Sequence, residues 1–144
     1  MIIDAQCELS DAQAVTATAV SENVMDLGFA GNNIGNGQPL YLCVSVAVAM
    51  TDSGSDSTVA VTLVDDDNAA LSSAATVETI GTFAATSAAG TRLYAAINPE
   101  IINQRYLGVT YTVSGGNLTT GSFDAFITTD VDTFTAFASG YSVS

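Results

Sequence analysis

Residues 40–50 read LYLCVSVAVAM, and their side chains alternate strictly between two kinds. Every second position from Leu40 to Met50 carries a large apolar side chain, while the positions between them are small or aromatic. Because successive side chains of a β-strand point to opposite faces of the sheet, this pattern predicts a strand. One face of that strand is expected in the core, and the other is expected to be closely covered.

The same period of two recurs elsewhere, and no long stretch shows the helical period of 3.6 residues. Val59–Leu63, Leu107–Val113 and Phe123–Ile127 alternate in the same way. Weaker candidates for strands are Ala14–Val20, Asn23–Leu27, Thr76–Phe83 and Thr91–Ile97. Strands of this length and spacing predict an all-β fold with about eight strands, a β-sandwich of jelly-roll type.

Turn-forming residues separate the predicted strands. Gly28–Pro39 is rich in glycine and asparagine, which tolerate positive φ. Asp52–Ser57 and Ser114–Asn117 have the composition of hairpin connections. Little helix is expected beyond one turn near Asn98–Gln104, where Pro99 can occupy the first helical position.

The chain of 144 residues is short enough for one domain, and no linker interrupts it. We predict a jelly-roll domain over residues 1–130, followed by a segment over 131–144 that loses the alternation. That segment keeps Phe134, Phe137 and Tyr141 among small polar residues. It is either the last strand of the sandwich or an arm whose aromatic side chains dock on a neighbouring subunit.

Charge excludes two classes of partner. Fifteen Asp and Glu residues face two cations, Arg92 and Arg105, for a net charge of -13. Nucleic-acid binding requires Lys and Arg to neutralise phosphates, and anionic membrane surfaces repel an acidic chain. We therefore expect neither nucleic acid nor membrane as a partner. The N-terminus lacks the basic and apolar parts of a signal peptide, so Cys7 and Cys43 are expected as free thiols, with a disulfide as the alternative.

The residue inventory also argues against catalysis. The chain has no histidine and no lysine, so it holds neither a Ser-His-Asp or Cys-His arrangement nor a P-loop lysine. Carboxylate pairs remain, but a glycosidase usually adds aromatic sugar platforms, and tryptophan is absent. We predict no enzymatic activity and no cofactor.

Asp65, Asp66 and Asp67 form the densest group of carboxylates and are followed by Asn68. Calcium takes six to eight oxygen ligands, often from loops of this kind, which makes the three aspartates weak calcium candidates. The spacing does not match an EF-hand loop. The simpler interpretation is an acidic turn after the strand that ends near Val64, and we predict no metal site.

Arg105 precedes the predicted strand Tyr106–Val113 and is one of only two cations. One interpretation is a local ion pair with Glu100, worth about 0–1 kcal/mol if exposed. The other is a planar fork that holds a carboxylate or a carbonyl and so fixes the preceding loop. A structural role is expected in both cases, and Arg105 is also an interface candidate together with Phe134, Phe137 and Tyr141.

Three groups of motifs, in this order, resemble the jelly-roll cement (decoration) proteins of short-tailed bacteriophages. The first is Ser10–Thr16 with Asp26–Gly28, the second is Asp66–Ser73, and the third is Asn103–Leu107 with the nearby Tyr111-Thr112-Val113. The similarity spans roughly residues 1–129. The segment that follows matches nothing in that family.

The resemblance implies a protein without catalytic residues that binds the outside of an expanded capsid. It implies homo-oligomers over the seams between major capsid proteins; because closed symmetry is the common solution, we expect a dimer first and a trimer next. The expected location is the outer capsid surface of the virion, after synthesis in the host cytoplasm. The alternative is a carbohydrate-binding or adhesin module, which would present exposed aromatic side chains such as Tyr41, Tyr94 or Tyr141.

Overall fold

The computed structural model describes residues 3–29, 34 and 37–131, and these residues form an almost purely β structure. One 3₁₀ turn, Pro99–Ile101, is the helical element of this part of the chain. The predicted all-β class is confirmed. The strands are β1 Glu8–Ala14, β2 Ala19–Val20, β3 Met25–Asp26, β4 Leu40–Thr51, β5 Thr58–Asp66, β6 Ala75–Phe83, β7 Arg92–Ile97, β8 Tyr106–Ser114 and β9 Thr120–Thr128.

The strands pair antiparallel in two sheets. The first sheet has the order β1-β9-β4-β7, and the second has the order β2-β8-β5-β6, with β3 also pairing with β8. Ala19 lies opposite Tyr111 and Met25 lies opposite Leu107, so β2 and β3 are two pieces of one interrupted edge strand. Taken together they give two four-stranded sheets, which is the eight-stranded jelly roll.

The core lies between the inward faces of the two sheets. Leu42, Val44 and Val46 of β4 are fully or almost fully buried, as the alternation predicts. Burial of such side chains stabilises the fold by about 1.5–3 kcal/mol each. The ring of Phe123 lies 5.4 Å from that of Phe83 and 5.2 Å from that of Tyr111, which joins aromatic groups from both sheets. Other fully buried apolar side chains are Leu9, Val15, Val59, Val61, Leu63, Leu107 and Val109.

The alternation of β4 fails at one place. Val48 is 50% exposed, although the pattern predicts that it points inward with Val46 and Met50. The pairing of β4 with β9 shifts register between Val46 and Val48 and again before Thr51. A bulge inserts a residue and reverses the facing of the next side chain, which explains why Val48 turns outward while Met50 is buried again.

Two sequence predictions about connections are wrong. Asp52–Ser57 joins β4 to β5 and Ser114–Asn117 leads from β8 to β9, and each of these strand pairs belongs to different sheets. These segments are corners between the layers and not hairpins. Among the described strands, β5 and β6 are the one consecutive pair that lies side by side. The turn at Pro99 is confirmed, and the Asn98 side chain accepts a hydrogen bond of 3.1 Å from the Glu100 amide.

The first strand was also misplaced by the sequence pattern. The predicted strand Ala14–Val20 contains only the end of β1 and the two residues of β2, whereas β1 itself begins at Glu8. β1 is polar and irregular, with two register breaks against β9 and a positive φ of 47° at Ala12. These irregularities remove the period of two on which the prediction depended.

The connections lie at two ends of the sandwich. Asp26 and Asp66 both lie opposite Tyr106, and Leu40 lies opposite Ile97, so the β3–β4, β5–β6 and β7–β8 connections share one end. We call it the anchored end; its described residues are 27–29, 34, 37–39, 67–74 and 98–105. Residues 15–18, 52–57, 84–91 and 115–119 form the opposite end. The segment 132–144, with Phe134, Phe137 and Tyr141, lies outside the described residues.

Candidate functional site

Arg105 forms a two-pronged ion pair at the anchored end. Its Nε lies 2.8 Å from Oδ1 of Asp26, and its Nη2 lies 2.8 Å from Oδ2. Of the two interpretations of Arg105, the local ion pair with Glu100 is therefore wrong, and the planar fork on a carboxylate is correct. The backbone repeats the link, because the Leu27 amide donates to the Arg105 carbonyl at 2.9 Å. The guanidinium also lies 5.1 Å from the ring centre of Tyr106.

The environment of Asp26 stabilises its charged form. Hydrogen bonds from Arg105, and then from the Gly28 amide at 2.8 Å, hold the pKa of Asp26 at about 2. Both members of the pair are nearly half exposed, at 44% and 45%. The contact therefore acts mainly by fixing where the β3–β4 connection begins, since exposed ion pairs contribute little to stability.

Asp65 anchors the second connection. Its carboxylate is buried, and Oδ2 accepts hydrogen bonds from the amides of Asn103 at 2.7 Å and Gln104 at 3.0 Å. These amides belong to the β7–β8 connection, more than thirty residues further along the chain. Because a buried carboxylate is costly unless it is hydrogen-bonded, the geometry couples the position of this loop to the end of β5.

Asp66 anchors the third connection. Its Oδ2 accepts the Ser73 amide at 2.7 Å, and its Oδ1 accepts the Asn68 amide at 3.1 Å. These two bonds, with Ser73 first, lower the pKa of Asp66. Inside the turn, Leu71 has a positive φ of 51° and is buried against Gly108 of β8. A Cβ at position 108 would lie too close to a methyl group of Leu71, so any larger residue there would force the Leu71 side chain to shift.

The calcium candidates do not converge on one point. Asp65 and Asp66 are neighbours in a strand, so their side chains point to opposite faces, and both are occupied by backbone amides. Asp67 is exposed. Within residues 3–29, 34 and 37–131 no group of three His, Cys, Asp or Glu side chains is placed to hold a metal ion.

The anchored end also exposes apolar side chains. Phe29 is 65% exposed and directly follows Gly28, whose amide bonds to Asp26. Ile101 in the 3₁₀ turn is 39% exposed. A cavity of about 420 Å³ opens between Ala5, Gln6 and Glu8 on one side and residues 23–26 on the other. Fixed loops and exposed apolar groups thus occur on the same surface.

The remaining sequence candidates lie elsewhere. Tyr41 and Tyr94 lie on the outer face of the first sheet, where Tyr94 is 55% exposed and lies opposite Cys43. Cys7 and Cys43 are free thiols, and burial raises the pKa of each. No helix in the described part of the chain is long and apolar enough to cross a membrane.

Fold and loops together define a class: a small, acidic jelly-roll domain whose loops at one end are held by aspartate side chains. The family model Bbp16 matches residues 9–127, which reach from β1 into β9 and include all the strands between them. The chain therefore belongs to the Bbp16 family. No curated protein matches the sequence.

Proposed function

We propose that this protein is a capsid cement protein. It binds the outside of a phage head as a homo-oligomer, a dimer in preference to a trimer, and stabilises contacts between major capsid proteins without catalysing a reaction. It works without cofactor, nucleic acid or membrane, and it reaches the virion surface from the host cytoplasm. The observation that carries the proposal is the anchored end, where three loops are each held by an aspartate. The name Bbp16 suggests a phage gene product, which supports the same assignment.

Rigid loops suit a protein that clamps a fixed surface. Binding costs free energy for every loop and side chain that it must order, and loops that are already held lower this cost. Asp26, Asp65 and Asp66 use their carboxylates for this purpose instead of presenting them to a ligand. Phe29 and Ile101 then supply the apolar groups on which interface energy usually depends.

The negative charge of this protein predicts that the surface it binds is positively charged. A net charge of -13 keeps the unbound protein soluble and favours a shell surface that carries Lys and Arg. Asp67 and Glu100 are also exposed at the anchored end. We expect these carboxylates to raise the association rate, so binding to heads should slow as salt concentration rises.

The test is co-sedimentation of the purified protein with expanded heads that lack it. Wild type should bind and should raise the temperature at which the heads release their DNA. Phe29→Ser removes an exposed apolar side chain and should weaken binding about tenfold. A tenfold change in Kd corresponds to about 1.4 kcal/mol of binding free energy. Val48→Ser is the matched control, since Val48 is also exposed and lies on β4 away from the anchored end. Failure of wild type to bind heads, or equal loss in both variants, would reject the proposal.

A further inference from the structure

A jelly roll leaves two edge strands in each sheet, and three of the four edges here are irregular. β1 breaks register twice against β9. Its Asp11 amide donates to the Glu22 side chain at 2.9 Å, and in the bulge the Ala12 amide donates to the Asp124 side chain of β9 at 2.7 Å. Bulges and side-chain caps of this kind prevent another strand from pairing there. The β1 edge is therefore closed to strand addition.

The two edges of the second sheet are blunted in other ways. The edge beside β8 consists of the two short pieces β2 and β3, and between them the Ser21 hydroxyl accepts the Val109 amide at 3.0 Å. β6 shifts register twice against β5 and contains Gly81 with a φ of 154°. Neither edge presents a continuous row of backbone groups to a partner.

β7 is different. It pairs with β4 through six consecutive residues, from Leu40 opposite Ile97 to Ser45 opposite Arg92, without a shift. β4 lies on one side of it, and no described strand is hydrogen-bonded to the other side. Tyr94, in the middle of the strand, is 55% exposed. A regular edge with an exposed aromatic side chain is the kind of surface that accepts another strand.

We propose that the free edge of β7 pairs with β7 of a second copy of this chain, antiparallel about a twofold axis. This inference rests on the proposed homo-oligomer but not on binding to a capsid. Residues opposite each other in a sheet face the same side, so several registers keep the outer faces aligned; the one centred on the middle of β7 places Tyr94 opposite Tyr94 of the second copy. Arg92 then lies opposite Ala96, and the two four-stranded sheets become one continuous sheet.

Charge and shape are complementary in this register. The twofold axis brings Arg92 of each copy towards the end of β7 in the other, near the exposed Glu100. Two chains of net charge -13 repel each other, and a contact between opposite charges reduces that repulsion. The central pair of tyrosines adds a cross-strand aromatic contact. A second copy therefore fits this edge better than an unrelated acidic strand would.

The experiment measures self-association of the full-length protein by sedimentation equilibrium, without heads. Wild type should form dimers, and Tyr94→Glu should weaken dimerisation about tenfold, because it removes the aromatic pair and places like charges opposite each other. Val20→Glu is the matched control: Val20 is exposed on the β2 edge, and the change in charge is the same. Mixing Tyr94→Glu with Tyr94→Lys should restore a dimer that neither variant forms well alone.

The outcomes separate this inference from the proposed function. A monomeric wild type, a Tyr94→Glu variant that dimerises normally, or a mixture that fails to recover would overturn β7 pairing. None of these results concerns binding to heads, which is measured separately. If wild type dimerises through Tyr94 and yet does not bind heads, the cement proposal fails while the dimer contact stands.

Discussion

The hydroxyl of Tyr111 in β8 donates a hydrogen bond of 2.9 Å to Oγ of Ser10 in β1, and neither residue is exposed to solvent. The two strands belong to different sheets, so this bond joins the layers across the core. Ser10 in turn donates to Oε1 of Gln13 at 2.7 Å, and the same oxygen accepts the Glu22 amide at 3.0 Å. Burial raises the pKa of Tyr111 to about 12, so its hydroxyl remains a donor at neutral pH.

The bond between Tyr111 and Ser10 predicts unequal costs for removing its two partners. Tyr111→Phe should lower the free energy of unfolding by about 0.5–1.5 kcal/mol, the net value of a hydrogen bond. Ser10→Ala should cost about 1–3 kcal/mol, because it leaves the buried tyrosine hydroxyl without an acceptor. Denaturant unfolding of both variants and of the double variant measures the coupling. Strict additivity would show that the two residues do not interact.

The hydrogen bonds of Asp65 predict that replacing Asp65 destabilises the protein more than replacing Asp67. Asp65→Ala removes the acceptor for the partly buried amides of Asn103 and Gln104 and should lower the free energy of unfolding by about 1–3 kcal/mol in total. Asp67→Ala is the control, since Asp67 is exposed and should change stability by less than about 0.5 kcal/mol. Hydrogen exchange should accelerate at Asn103 and Gln104 in the first variant only. Equal effects would contradict the anchoring role of Asp65.

The ion pair between Arg105 and Asp26 predicts that the stability of the protein falls at acidic pH. The folded-state pKa of about 2 lies below the ordinary aspartate value of 3.8, so the charged form is favoured in the folded protein. The resulting stability is present above pH 4 and is lost as the pH falls towards 2. A carboxyl ¹³C NMR titration should place Asp26 near 2 in wild type and closer to 4 in Arg105→Gln. An unchanged midpoint in that variant would mean that Arg105 does not hold the carboxylate.

We predict that the C-terminal segment, residues 133–144, contributes to assembly but not to folding of the domain. The buried core of the described residues runs from Leu9 to Ile127, so truncation after Asp132 should leave a folded domain with a nearly normal melting temperature. The truncated chain loses Phe134, Phe137 and Tyr141, and we expect weaker oligomerisation or binding to heads. Serine at these three positions in the full-length chain is the matched variant. A truncated protein that does not fold would instead place the segment in the core.

Local pattern was sufficient for the regular strands and failed where the backbone is irregular. The alternation from Leu42 to Val46 survives in the structure because both neighbouring strands pair with that stretch in register. Val48 departs from it because a bulge in the pairing with β9 cannot be seen in the sequence of β4 alone. β1 was misplaced for a similar reason, since its backbone amides at Asp11 and Ala12 donate to the side chains of Glu22 and Asp124 instead of following a regular ladder.

The sequence by itself determined the all-β class, the strongly acidic surface and the absence of histidine and lysine chemistry, because these follow from composition and from a period of two. Only the tertiary structure decided which groups meet. Arg105 pairs with Asp26, 79 residues away, and not with the nearby Glu100. Asp65 holds amides 38 and 39 residues further on. Such contacts form because the jelly roll brings connections that are distant in sequence to the same end of the sandwich. No local pattern in the sequence shows which of these connections will meet.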